Sequence, residues 1–443
     1  MSTTTLDRAD LRRRNALFAL FLLPGLGLAS WVTRTPDVRD LLGVSTAEMG
    51  LVLFGLSVGS MIGILGSGAL VSRFGTRPIV ILGVTGLVVS LPVIGTGGAL
   101  GAPVLVALGL AIFGFGMGAG EVAMNVEGAE VERRLARSVL PALHGCFSLG
   151  TVIGAVIGMS LTALAFPVLW HLGSVSVLAV VVLLIAIRSV PVGFGKGAPR
   201  ERGARRDPAA RVVLWRDPRL LAIGGIVLAM AFAEGAANDW LPLLMVDGHG
   251  FDAALGSAVF AVFAAAMTIG RFTGGFFIAR FGRAAVMRVS AIAGAIGIAL
   301  VVFADHPFVA AASVLLWGLG ASLGFPVAIS AAGDSGPVAQ SAQRVAQAAV
   351  VGYLAFLVGP PLLGLLGEEF GLRLAMVVVL VLVAGAVLLA PAVGETRRGA
   401  AGTTAPSAPG DAPGDAPAAD APAGDVPAGE APAGNGPAGD RNG

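Results

Sequence analysis

Glu121 and Asn125 stand four residues apart, and Glu234 and Asn238 repeat that spacing just before Asp239 and Trp240. Residues four apart share one face of a helix, so each pair offers a carboxylate with an amide one turn away. Such a pair can take a proton or a cation on the acid while the amide holds a polar solute. Both pairs fall in or at the edge of long apolar runs. There an ionisable side chain costs ~2.5–3.5 kcal/mol at the bilayer centre and by default faces an aqueous cavity or a partner. Arg271 lies inside another apolar run and either reaches the cytoplasmic interface or forms a buried ion pair with a partner from the seventh or eleventh run. Arg34 and Trp31 close the end of the first run. Trp31 can line a site for a sugar or aromatic ring or anchor in the interfacial belt, and Arg34 can meet a solute or snorkel to the headgroups. His144 titrates near neutral pH if exposed, or makes a structural hydrogen bond. Gln340, Arg344 and Gln347, spaced by four and three, share a face and read as the lining of a vestibule.

No enzyme signature accompanies these residues. Gly55-Leu56-Ser57-Val58-Gly59 matches G-x-S-x-G, but it lies inside an apolar run with no strand before it and reads as helix packing. Neither H-E-x-x-H nor G-x-x-x-x-G-K-[ST] occurs, which excludes a metalloprotease of that type and a nucleotide-driven pump on this chain. The single Cys146 excludes a disulfide framework and a cysteine-built zinc site, and the four histidines have no metal-ligand spacing. No cofactor, metal or nucleic-acid partner is expected, and any energy for function comes from a gradient.

The elements that position these residues follow from composition. Of 443 residues, 56% are hydrophobic and 13% charged, against roughly 25% charged in a soluble chain. The mean hydropathy is +0.86. Twelve apolar blocks, each near the ~20 residues that span a bilayer, occupy 15–33, 48–71, 78–97, 102–125, 139–165, 168–190, 219–241, 255–279, 285–304, 308–331, 345–366 and 372–393. They are too long and too uniformly apolar for the strands of an outer-membrane barrel. The fold class is therefore all-α and integral to the membrane.

Basic residues alternate sides along these blocks. One side holds Arg8, Arg12 to Arg14, Arg73, Arg77, Arg133, Arg134, Arg137, nine basics from Arg188 to Arg219, Arg280, Arg283, Arg288, Arg397 and Arg398. The other holds Arg34, Arg39 and Arg373. Cytoplasmic loops carry the excess, so both termini are expected in the cytoplasm. The Ala- and Gly-rich, lysine-poor composition suggests a GC-rich bacterial source.

A shift of 207 residues lays Ser72-Arg73-Phe74-Gly75 on Ala279-Arg280-Phe281-Gly282, Gly68 on Gly275, and Arg137 on Arg344. Two parallel six-helix repeats follow, with a site near the midplane between them. The division expected is a cytoplasmic arm over 1–14, a bundle over 15–192, a basic loop over 193–218, a second bundle over 219–395 and a disordered Pro/Ala/Gly/Asp tail over 396–443. The motif copies place Gly68 and Gly275 where helices must approach their neighbours, while Gly97 falls in an outer loop. Gly359-Pro360-Pro361 marks a bend whose freed carbonyls neighbouring helices must satisfy.

Over residues 11–395 the chain resembles the major facilitator superfamily. The motif that carries the resemblance, G-x-x-x-D-R-x-G-R-[RK] between the second and third spans, stands here as Gly68-Ala69-Leu70-Val71-Ser72-Arg73-Phe74-Gly75-Thr76-Arg77. In the family the aspartate helps close a cytoplasmic gate by bonding a helix end; Ser72 replaces it here. Trp31 to Pro36 and Leu42 to Ser45 further resemble a bacterial subgroup near the fucose-permease-like members, in which a glutamate at the place of Glu121 is functional. Gly150, Gly154 and Gly158 lack the Gly-Pro of the family's drug antiporters, which counts against drug efflux.

The function expected is alternating-access transport of a small organic solute across the bacterial cytoplasmic membrane by a monomer, coupled to protons. Glu121, with Asn125, is the expected carrier of that proton. Drug or metabolite efflux, or a sensor that binds solute without flux, are the alternatives. Reporter fusions at residue 395 and within 193–218 are predicted to report the cytoplasm; a periplasmic signal from either overturns the twelve-span topology.

Overall fold

The computed structural model describes residues 8–137, 139–197, 216–337 and 340–394. Twelve of its helical segments are long and apolar enough to cross a membrane. They are built from α1 (Arg8–Val32), α3 (Thr46–Phe74), α4 (Thr76–Ala99), α5 (Pro103–Leu135), α6 (Leu140–Ala163), α7 (Val168–Ala186), α8 (Pro218–His249), α9 (Ala253–Phe281), α10 (Arg283–Phe303), the broken pair α11 (Pro307–Ser322) and α12 (Gly324–Asp334), α13 (Ser341–Phe370) and α14 (Leu372–Leu389). A short helix that the apolar blocks do not reveal, α2 (Thr35–Leu42), lies across the end of the first span. It is too short and too polar to register as a span.

Each span falls on its expected block, but several helices outrun the apolar residues. α1 begins at Arg8, inside the segment expected to be a terminal arm, and α5 and α8 continue to Leu135 and His249. Nothing in those extra turns breaks a helix: α5 ends only where Ala136 adopts φ 48°, and α8 where Gly250 adopts φ 72°. The α11/α12 break has a backbone cause. Pro326 lacks the N–H that would bond the Ser322 carbonyl, and a residue before proline disfavours the α conformation.

The helices form two six-helix bundles, the first from α1 to α7 and the second from α8 to α14. Within the first, α3 and α4 pack on α5 and α1 packs on α6; the second repeats this with α9 and α10 on α11. The repeat reaches individual contacts at the same shift of 207. Gly43 and Gly250 both adopt left-handed φ, at 61° and 72°. Ser45 and Asp252 cap the helices that follow. Thr76 donates to Glu127 as Arg283 donates to Asp334. α1 and α8 are the most enclosed, with 78% and 72% of their spanning windows buried, and the two bundles meet at a seam where α3 packs on α13 and α6 on α9.

Glycine sets the helix spacing. A Cβ on Gly55, Gly59 or Gly63 would stand 2.3, 2.0 or 2.4 Å from the carbonyl oxygens of Ala107, Ala111 and Phe115 on α5, so no side chain fits. Ser57, between them, donates at 2.7 Å to the Phe356 carbonyl of α13. That is the carbonyl left without its i+4 donor by Pro360, so the second bundle's proline is satisfied by the first bundle's serine. α13 runs through Pro360 and Pro361 without interruption.

Two expectations about glycines are corrected. Gly97 is not in a loop: it is buried in the last turns of α4, where a Cβ would meet the Val106 nitrogen at 2.9 Å. Gly68 and Gly275 have nothing within 4 Å. The bonds described between the bundles lie in the middle and at the end away from the termini, and the motif loops sit at the other end. Gly59→Val is predicted to cost about 1–3 kcal/mol or more through overpacking, read as a lower thermal midpoint in detergent. Gly66→Val, on the same helix but facing open space, is predicted to leave that midpoint unchanged.

Candidate functional site

Midway along the seam, α9 brings Arg271 against α8, where its Nη2 donates at 2.8 Å to Glu234 Oε1. Its Nη1 reaches Ser148 Oγ of α6 at 3.4 Å, so one guanidinium joins both bundles. The expected ion pair is thus present, with the seventh span as its source. Both partners are largely but not fully enclosed, at 29% and 16% side-chain exposure.

Glu121 approaches from the first bundle. It lies mid-way along α5 rather than at a helix end, because α5 continues fourteen residues beyond it. The charges of both Arg271 and Glu234 act on it. No hydrogen bond or ion pair to its carboxyl is found among the described residues. Tyr353 of α13 lies within electrostatic range of Glu121, as His144 of α6 does of Arg271. One turn along α5, the Asn125 Oδ1 is buried and accepts no hydrogen bond among the described residues. Two carboxylates and one guanidinium therefore share the seam, and the first bundle adds an idle amide acceptor.

The other sequence candidates separate from this cluster. Asn238 shares Glu234's face and is half-buried, whereas Asp239 is buried, 100° further round the helix. Arg34 is 1% exposed and fully engaged: it donates to Asp37 at 2.6 Å, to His171 Nδ1 at 3.1 Å and to the Phe166 carbonyl at 2.8 Å. It neither snorkels nor faces a cavity; it ties α1 to α7. Trp31 is equally buried, which removes it from the interfacial belt. His144 packs edge-on against Phe21, with ring centroids 5.5 Å apart. Arg344 pairs with Asp217 at 2.6 Å and Ser335 at 2.8 Å, pinning the start of α8 rather than lining an open vestibule.

The motif loops are at the end that carries the termini. Ser72 turns its hydroxyl back to the Ala69 carbonyl at 3.0 Å. Arg73 and Arg280 each stack over the next phenylalanine, at 5.1 and 5.6 Å. Gly75 and Gly282 take φ 87° and 80° at the turns between helices, and Arg77 donates to the Val190 carbonyl at 3.2 Å.

Sequence reasoning missed the cluster beneath this loop. Arg13 of α1 pairs with the fully buried Glu127 of α5, which also accepts from Thr76. The Phe194 ring lies 4.8 Å under Arg13, and its carbonyl accepts from the Thr76 N–H at 2.8 Å. Residues 193–197, the start of the expected basic loop, therefore pack on the first bundle; residues 198–215 and the tail beyond 394 lie outside the described residues. The missed signal was an acid two residues past the end of an apolar block, with helix-forming residues continuing on both sides.

Comparison with known proteins places these observations in a family. The family model described as Major Facilitator Superfamily matches residues 241–427. An uncharacterized MFS-type transporter of Yersinia pestis is 30% identical over 355 residues, covering 80% of this chain and 89% of that protein. Among solved structures, a D-xylose–proton symporter superposes with a TM-score of 0.69 at 14% identity, over 86% of this chain and 97% of that one. The transporter FucP in its outward conformation superposes with 0.60 at 17% identity, over 88% and 100%.

Removing one member of an enclosed ion pair strands the other. Glu234→Gln is predicted to destabilise the protein by about 1–3 kcal/mol, discounted for partial exposure. Adding Arg271→Gln is predicted to restore part of that loss. Thermal melts of both variants check this: a double variant no more stable than the single one shows that the pair is not coupled.

Proposed function

The chain belongs to the major facilitator superfamily, and from its seam we propose that it carries a small organic solute into the cell together with a proton, by alternating access across the bacterial cytoplasmic membrane. The single observation that carries this reading is one guanidinium paired with a carboxylate of its own bundle and within electrostatic range of a second, unpaired carboxylate on the other. Arg271 neutralises Glu234, which leaves Glu121 as the acid whose charge has no fixed partner. A lone carboxylate in an apolar slab is costly, and a proton removes its charge.

The step this permits conserves charge. With the outside open, Glu121 takes a proton from the acidic side while Asn125 Oδ1 accepts a donor group of the solute. The bundles then rock about the seam. On the inner side, water and the approach of Arg271 favour the carboxylate, and the proton leaves to the cytoplasm with the solute. Asn238 and Tyr353 are placed to hold the solute's polar groups, and Asp239 is the reserve acid. The basic end is the cytoplasmic one, by the loop charges, so Gly68, Ser72, Arg73, Gly75, Arg77, Gly275, Arg280 and Gly282 form the inner gate. A monomer suffices, because all these residues come from one chain. The D-xylose–proton symporter, which has a similar fold, supports the class of reaction and not the sugar.

Reconstitution in liposomes with a panel of small solutes and an internal pH dye tests this. Glu121→Gln mimics the protonated acid and is predicted to abolish gradient-driven accumulation while counterflow exchange persists. Full proton-driven accumulation by that variant shows that coupling lies elsewhere, and saturable binding without flux in the parent shows a sensor instead.

A further inference from the structure

The end of the seam opposite the motif loops is bonded shut. Arg39 of α2 pairs with Asp247 of α8. The Ser257 hydroxyl donates at 2.7 Å to the Thr33 carbonyl. Gly50 of α3 and Gly364 of α13 are in backbone contact: a Cβ on Gly364 would lie 2.9 Å from the Gly50 Cα.

The start of α3 shows how this closure is specified. A helix leaves its first N–H groups without internal partners. At α3, Ser45 accepts from the Glu48 N–H and Glu48 accepts from the Ser45 N–H, a complete local capping box. That box leaves the N–H groups of Thr46 and Ala47 unserved. Both donate, at 2.9 and 3.2 Å, to one carboxylate oxygen of Glu368, which belongs to α13 in the other bundle. A carboxylate is the favoured partner there, since it meets two donors and the positive end of the helix dipole together. At the equivalent helix of the second bundle, α9, Asp252 caps the Leu255 N–H at 2.8 Å, and no such contact from the other bundle is found among the described residues.

We propose that Glu368 is the positioning residue of the outer gate, a carboxylate that completes the cap of α3 in trans only while the outer end is closed. When the bundles part there, Thr46 and Ala47 must exchange it for water, so the bond contributes to the closed state and not to the stability of either bundle. The proposal rests on the alternating-access reading for its function, but its test needs neither solute nor flux.

Spin labels at Leu100→Cys and Phe370→Cys, exposed positions on the two bundles at this end, report the opening as a distance distribution, in a chain whose single native cysteine is replaced by Cys146→Ser. Glu368→Gln is expected to raise the ratio of the longer to the shorter distance roughly tenfold, the size of losing charge-assisted bonds. Thr46→Pro attacks the same bond from α3: it removes one donor at a first helical position where proline is tolerated, and it is expected to move the ratio the same way. Glu48→Gln weakens the cis cap of the same helix and is expected to leave the ratio unchanged. Equal distributions in parent, Glu368→Gln and Thr46→Pro overturn the proposal, as does an equal shift from Glu48→Gln, which would mean that any fraying of α3 opens the gate. Should Glu368→Gln fail to fold, Thr46→Pro alone decides between these outcomes.

Discussion

A charge inside an apolar slab must bring its partner with it, and at the seam this molecule sets two acids, Glu121 and Glu234, beside one base, Arg271. Arg271 pairs with Glu234 and not with Glu121, which is why the proposed function assigns the proton to Glu121. The rest of the architecture serves to keep these groups at the boundary between two bodies rather than inside either. Arg271 and Glu234 stand on adjacent helices of one bundle, and Ser148 and Glu121 on the other. Movement of one bundle against the other therefore changes the electrostatics of the site directly.

The second constraint is that no water reaches the backbone within the bilayer. Helices can close to contact distance only where glycine removes the side chain, as along Gly55, Gly59 and Gly63, and proline can enter only where another group meets the carbonyl it frees. Ser57 fulfils that condition for Pro360 from the opposite bundle. A proline in one half is thereby accommodated by a helix in the other.

Most of the frame was legible in sequence because bilayer thickness fixes a length and the positive-inside bias fixes an orientation. The twelve spans follow from the first of these, and the repeat from loop residues that recur at a shift of 207; the orientation read from the second is an expectation. The site was legible in part: Glu121, Asn125, Glu234 and Arg271 stand out because a polar residue in an apolar run is conspicuous. Arg34 stood out for the same reason, yet its role depends on His171 and Phe166 more than 130 positions away, which no local pattern encodes. Glu127 and Glu368 escaped for the opposite reason. Each lies just past the end of an apolar block, where acids are ordinary, and only the long-range pairing with Arg13 or with the start of α3 distinguishes it.

The repeat itself has an electrical consequence. Its scaffold contacts recur at a shift of 207, as with Thr76–Glu127 and Arg283–Asp334, but the seam charges do not: the same shift sets Glu121 on Ala328, Glu234 on Gly27 and Arg271 on Ile64. At the seam one bundle carries the Arg271–Glu234 ion pair and the other the carboxyl of Glu121, which has no ion pair among the described residues. On the proposed cycle, a neutral solute moving with one proton would displace one elementary charge through the membrane, and the resting voltage, worth about 2.3 kcal/mol per 100 mV, would act alongside any difference in pH. The frame repeats, and the asymmetry at these three positions is what would let the proposed cycle sense the field across the membrane.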